Sequence, residues 1–143
     1  MVTVKFKEIG RGAGHSAPAY AKPGDSGADL RSLDSGYLWV GETRVFFVGL
    51  AIELPEGYEA QIRPRSSFSA KGVLCHLGTI DQGYRGELGV TLTNISEHPV
   101  YIEYKERIAQ LVVVPCVRAD FERVAELGDS VRGESGWGSS GRL

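Results

Sequence analysis

The chain has 143 residues, 42% of them hydrophobic and 24% charged, with a formal net charge of -2. That length suits one domain with a real core, and the near-neutral balance offers no basic field for wrapping duplex nucleic acid. Two cysteines, Cys75 and Cys116, lack the close spacing of a zinc site or redox pair, which argues against a disulfide framework and for a reducing, cytoplasmic setting. The N-terminal stretch lacks the unbroken apolar run of a signal peptide or membrane span.

Val2, Val4 and Phe6 alternate with Thr3, Lys5 and Lys7, the period-two pattern of a strand with one face buried. Gly10 to Gly14 reads as loop. Lys22-Pro23-Gly24-Asp25-Ser26-Gly27-Ala28-Asp29-Leu30 then carries consecutive turn signals before the apolar pattern resumes. Asp25 and Asp29 both suit turns; Asp29 is also placed to project a carboxylate from the start of a strand. Between Tyr37 and Leu54, Val, Phe, Tyr, Trp and Leu are interrupted by Gly41 and Gly49, predicting two strands joined near Gly41-Glu42. Tyr58, Ala60 and Ile62 alternate with Glu59, Gln61 and Arg63 in a strand that Pro64 should end.

Arg65-Ser66-Ser67-Phe68-Ser69-Ala70-Lys71-Gly72 predicts a single short helix, with Ser66 or Ser67 as its cap and Gly72 as its stop. The two hydroxyls beside Arg65 suit either a plain capped helix or a phosphate cradle. Gly78-Thr79-Ile80-Asp81-Gln82-Gly83-Tyr84-Arg85-Gly86 packs one carboxylate, one ring and one guanidinium among three glycines. This spacing predicts a tight β-turn or hairpin tip, in which Asp81 is either turn chemistry or a carboxylate fixed to orient a water. Leu88, Val90 and Leu92 alternate on the returning strand, and Val100, Ile102 and Tyr104 on the next. Ile108 to Val114 is nearly all apolar, so it should be buried on both faces with Gln110 the exception. These elements predict an all-β domain with one short helix.

From Ala119 the pattern changes. Arg132-Gly133-Glu134-Ser135-Gly136-Trp137-Gly138-Ser139-Ser140-Gly141 has four glycines and three serines and no periodicity. It reads either as a mobile tail or as a nucleotide lid, in which Gly and Ser amides wrap phosphate oxygens, Arg132 pairs with them and Trp137 stacks on a base.

Five stretches in order, Gly24 to Leu30, Arg63 to Ser67, Gly78 to Gly86, Arg107 to Leu111 and Arg132 to Gly141, resemble the ordered motifs of the trimeric deoxyuridine triphosphatases. The resemblance implies a jelly-roll or distorted β-barrel over residues 1–118, a flexible C-terminal arm over 119–143 closing on a neighbouring subunit, and a homotrimer with shared active sites. It implies hydrolysis of dUTP to dUMP and pyrophosphate with Mg2+ on the triphosphate, which limits uracil in DNA and supplies dUMP for dTMP synthesis. Asp81 matches the carboxylate that orients the attacking water, and Asp29 the acid that meets the metal through water. Tyr84 matches the ring under the deoxyribose. Arg65, Ser66, Ser67 and Gln110 match phosphate contacts, while Thr79, Ile80 and Gly89 match the stretch that reads uracil. Cys75 falls near the base, and Arg132, Gly136, Trp137, Gly138, Ser139 and Ser140 match the closing arm. Neither a nucleic-acid partner nor a membrane is implied.

The chain departs from the family pattern in three places: Ser67-Phe68-Ser69 replaces a Gly-containing helix start, Trp137 replaces the usual phenylalanine, and Cys75 replaces a polar residue. Two alternatives share the implied fold. A binding module without turnover would not need Asp81. A deoxycytidine triphosphate deaminase would need a glutamate on the returning strand, and Leu88 to Thr93 contains no acid.

Overall fold

The computed structural model describes residues 2–14 and 17–135. Its elements are β1 (Lys5–Glu8), a 3-10 turn at Gly10–Gly12, β2 (Ala28–Arg31), β3 (Gly36–Leu38), β4 (Thr43–Phe47), β5 (Leu50–Glu53), β6 (Tyr58–Arg63), α1 (Ser66–Ala70), β7 (Val73–Cys75), β8 (Gly78–Ile80), β9 (Gly89–Asn94), β10 (Val100–Ile102) and β11 (Arg107–Pro115). The strands pair, always antiparallel, as β1-β5, β10-β3, β2-β11-β6-β8 and β4-β9-β7. Together they form a jelly-roll barrel around one core, with α1 as its single α-helix among the described residues.

Alternation builds that core. On β9, Val90, Leu92 and Asn94 point inward while Gly89, Thr91 and Thr93 stay half-exposed. Phe46, Leu30, Leu38, Leu50, Leu88, Ile102 and Ile108 complete the fully buried centre. The inward amide of Asn94 is satisfied on every side: Nδ2 donates to Leu38 O at 2.9 Å and His98 O at 2.8 Å, and Oδ1 accepts from Ser96 N and Ser96 Oγ, as a buried polar group requires.

Several expectations are corrected. The first strand begins at Lys5, and its apolar residues do not form a buried face: Phe6 is 51% exposed and Val2 38%, because they line an open groove with Tyr20, Ile52 and Val113. The Tyr37 to Leu54 stretch holds three strands, and β3 pairs with β10 rather than with β4. Neither Ser66 nor Ser67 caps α1; Arg65 occupies that position without a side-chain cap bond, and both serines lie inside the first turn. The Asp81 loop does make the tight turn, Tyr84 N donating to Asp81 O, but it joins β8 to β9 in different sheets, so it is a crossover rather than a hairpin tip. Pro64 does end β6 and Gly72 follows α1, but Gln110 is not the single exception in β11: Ile108, Ala109, Leu111 and Val112 are buried, while Val113 and Val114 are half-buried like Gln110.

Candidate active site

Two groups of polar residues sit at the two ends of β6. At its C-terminal end the register aligns Arg63 of β6, Gln110 of β11 and Asp29 of β2 in one row across the sheet. Asp29 Oδ1 lies 3.2 Å from Arg65 Nε and Oδ2 lies 3.2 Å from Arg107 Nη1. Arg65 Nη1 also donates to Arg107 O at 2.8 Å, and Gln110 Nε2 donates to Pro64 O at 2.9 Å. The Asp29 side chain is only 14% exposed, so these charge-assisted bonds hold its orientation firmly. Two guanidiniums against one carboxylate leave a local excess of positive charge, suited to an anion. A Cβ at Gly27 would run into the Gln110 side chain, so glycine there is what lets Gln110 lie across the sheet. Ser66 and Ser67 stand exposed beside this cluster on α1, and their hydroxyls engage nothing else among the described residues.

The other group lies where β8 leaves the sheet. Ala60 pairs with Ile80, which carries Asp81 toward the Tyr58 end of β6. The turn closes with Tyr84 N donating to Asp81 O at 3.0 Å, and Arg85 Nη1 donates to Gln82 O and Tyr84 O, so Arg85 braces the loop. Tyr84 OH donates to Glu87 O at 3.0 Å, folding the ring over Gly86, where any Cβ would strike it. Thr79, Ile80, Asp81, Tyr84 and Gly89 then line a cavity of about 200 Å³ with Glu87 and Leu88. That is less than the roughly 300–1,000 Å³ of most ligand pockets, so it can take only part of a nucleotide. Asp81 also borders a larger cleft of about 710 Å³ with Glu59, Cys116 and Arg118. Its carboxylate is exposed and makes no hydrogen bond or ion pair among the described residues.

Glu59 and Arg63 are four residues apart on β6, about 13 Å at the rise of an extended chain. Reacting groups must approach to within roughly 3.5 Å, so the described protomer does not bring the Asp29 cluster and Asp81 onto one bond. Cys75 belongs to neither group. It is 3% exposed in the core, burial pushes its thiol up to about 11, and it does not line the Tyr84 cavity. Arg132 is apart as well, on an exposed stretch without regular structure, its Nε donating to Ser135 O at 2.9 Å. Gly136, Trp137, Gly138, Ser139 and Ser140 lie outside the described residues.

Two contributors went unassigned in the sequence. Arg107 sits just before a register shift in β11 that no alternation pattern announces, and Glu87 lines the cavity while its Oε1 accepts Gly49 N at 2.9 Å. Among the described residues no three His, Cys, Asp or Glu side chains converge as a metal cage, and no helix is long and apolar enough to cross a membrane.

The dUTPase family model matches residues 14–141. The deoxyuridine 5'-triphosphate nucleotidohydrolase of Anaeromyxobacter sp. is 45% identical over 145 residues, covering 99% of both chains, and that of Beijerinckia indica is 44% identical over 96% of this chain and 91% of its own. Among solved structures, a Staphylococcus bacteriophage 80alpha dUTPase with dUpNHpp superposes with a TM-score of 0.90 at 29% identity, covering 97% of this chain and 98% of that one. By motif order, fold and these matches, the chain belongs to the dUTPase family.

Proposed function

We propose that this chain hydrolyses dUTP to dUMP and pyrophosphate, at sites completed between the subunits of a homotrimer. The observation that carries the reading is the position of Asp81: an unpaired carboxylate at the mouth of a cavity sized for part of a nucleotide, beside the Tyr84 ring. Asp81 accepts a proton from a water and aims it at the α-phosphate. Tyr84 packs against the deoxyribose, and backbone along Thr79, Ile80 and Gly89 reads the base. The phosphates meet Arg65, Ser66, Ser67 and Gln110 of a neighbouring subunit, which is why the two groups can lie at opposite ends of one β6. The residues fit a divalent cation carried on the triphosphate, with Asp29 reaching it through water, and not an all-protein cage, since Asp29 already faces Arg65 and Arg107. Magnesium bound there supplies neutralisation of phosphate charge.

Residues 119–143 act as the closing arm, separate from the barrel of residues 1–118. The support is that every described residue from 119 to 135 is exposed, including Phe121 at 93% and Leu127 at 88%. Arg132 then pairs with phosphate and the Gly/Ser amides of 136–140 wrap it, with Trp137 over the base. Free thiols at Cys75 and Cys116 accord with the cytoplasm. A deaminase reading is disfavoured because Glu87, the other acid at the cavity, is engaged by Gly49 N–H and β9 carries no acid.

Incubation with each deoxynucleoside triphosphate and Mg2+ tests the activity: dUMP and pyrophosphate from dUTP are expected, and release of ammonia from dCTP would overturn it. Sedimentation tests the assembly, where a monomer at micromolar concentration would refute shared sites.

A further inference from the structure

The two-stranded β3-β10 sheet carries an aromatic strip that the hydrolytic site does not use. Tyr37 and Tyr101 are directly opposite in the register, with ring centroids 5.0 Å apart and planes at 71°. Trp39 follows on the same strand face, 5.3 Å from Tyr37 at 33°. Alternation places Pro99 beside Trp39 at one end and Glu103 beside Ser35 at the other. Tyr37, Trp39 and Tyr101 are 51%, 59% and 50% exposed, whereas large side chains clustered on a soluble surface usually mark a contact site.

Three details go beyond exposure. The two phenol hydroxyls and the indole N–H form no hydrogen bond among the described residues, so the strip presents three unengaged polar tips. Its Trp39–Pro99 end is held in place: Glu42 Oε2 accepts Trp39 N at 2.8 Å, and buried Asn94 bonds the Leu38 and His98 carbonyls that precede Trp39 and Pro99. The exposed Glu103 carboxylate has no ion pair among the described residues, and exposed Glu97 lies two positions before Pro99.

We propose that this strip is a docking surface for a proline-rich segment in the polyproline II conformation, carrying a basic residue at one end. Tyr37 and Tyr101 meet edge-on, a step that suits the side of a prolyl ring better than the flat platform a sugar or base would stack on. Polyproline II leaves its carbonyls unpaired, and the indole N–H and phenol O–H groups donate to them. The unpaired Glu103 sets the charge of the partner, disfavouring a nucleic acid and favouring Arg or Lys. A strip fixed before binding loses little conformational freedom when it is occupied.

The test uses the Trp137→Phe protein, in which Trp39 is the single tryptophan. A peptide of six prolines followed by arginine should shift Trp39 emission saturably at sub-millimolar concentration. Tyr101→Ala should weaken that binding about tenfold while dUTP turnover relative to the Trp137→Phe parent stays unchanged, and either Glu103→Gln or a glutamate in place of the peptide's arginine should weaken it severalfold. No saturable shift up to millimolar peptide, binding indifferent to Tyr101→Ala, or tighter binding of cellohexaose or an oligothymidylate would overturn the proposal.

Discussion

The two ends of β6 are built on opposite principles. At the Arg63 end every charged group has partners: Asp29 holds Arg65 and Arg107, Arg65 holds a carbonyl, and Gln110 holds Pro64. At the Tyr58 end the loop is braced through its backbone by Arg85 and Tyr84, while the Asp81 carboxylate is left without a partner. A group that must position an anion benefits from being locked beforehand, because no reorganisation is then needed during the reaction. A group that must take a proton from water has to keep its lone pairs free. On the proposed roles, the difference separates positioning from chemistry within one sheet, and each substitution below removes one side of it.

The largest effect is expected at the free carboxylate. Asp81→Asn keeps the loop's shape and removes the proton acceptor, so kcat should fall by roughly 10²-fold or more while binding of a non-hydrolysable dUTP analogue survives. Loss of analogue binding with kcat retained would reverse the roles of the two ends. Removing residues 132–143 should come next. The described residues of that stretch are exposed, so the melting temperature and sedimentation should hold while kcat/KM for dUTP drops about tenfold or more. A truncated protein of full activity would leave the arm no part in the site.

Arg65→Ala attacks the locked end. It leaves Asp29 with Arg107 alone and frees the Arg107 carbonyl, costing about 2 kcal/mol in stability, as for hydrogen bonds to charged groups. KM for dUTP should rise about tenfold with a smaller change in kcat, because the role proposed for Arg65 is to position phosphate and not to transfer the proton. Thermal unfolding and steady-state kinetics on one sample separate the two effects. If kcat alone collapsed, the cluster would be part of the chemistry and the division between the ends of β6 would fail.

Much of the locked end was legible beforehand, because it depends on alternation and on residue type. Gln110 interrupts an apolar run, Pro64 ends a strand, and Asp29 lies near the start of one; each position follows from period two and from proline's missing N–H. The free end was legible in composition but not in connection. Gly78 to Gly86 reads locally like a hairpin, and only the long-range pairing of β8 with β6 and of β9 with β4 and β7 makes it a crossover. The three strands between Tyr37 and Leu54 were missed for the same reason, since β3 finds its partner in β10, some sixty residues on. Arg107 was hidden by a register shift, and Cys75 is drawn into the core by its strand's alternation, with Val73 and Cys75 inward and Leu74 outward. Residue-by-residue patterns carry the element; the pairing of distant strands decides which side chains meet.

The smallest effect sharpens the comparison by asking what locks the Arg63 end. Between β10 and β11 the chain turns through Lys105, whose φ of 64° is the left-handed conformation that a side chain disfavours by roughly 1–2 kcal/mol. That turn is tied to the end of β2, with Lys105 N donating to Ser32 O at 2.8 Å and Arg31 Nη1 donating to Lys105 O at 2.9 Å. It leads directly into Arg107, the second guanidinium on Asp29. Lys105→Gly removes the strain but adds freedom to the unfolded chain, an opposing effect of about 0.4–1 kcal/mol. The net gain should be roughly 0.5 kcal/mol, a rise in melting temperature of about 2 °C at matched protein concentration. If the ion pairs and not the turn hold Arg107 against Asp29, kcat/KM for dUTP should stay within about twofold of the parent. A fall in kcat/KM alongside the stability gain would place the lock in the strained turn instead, and the Asp29 pairs would then be its consequence.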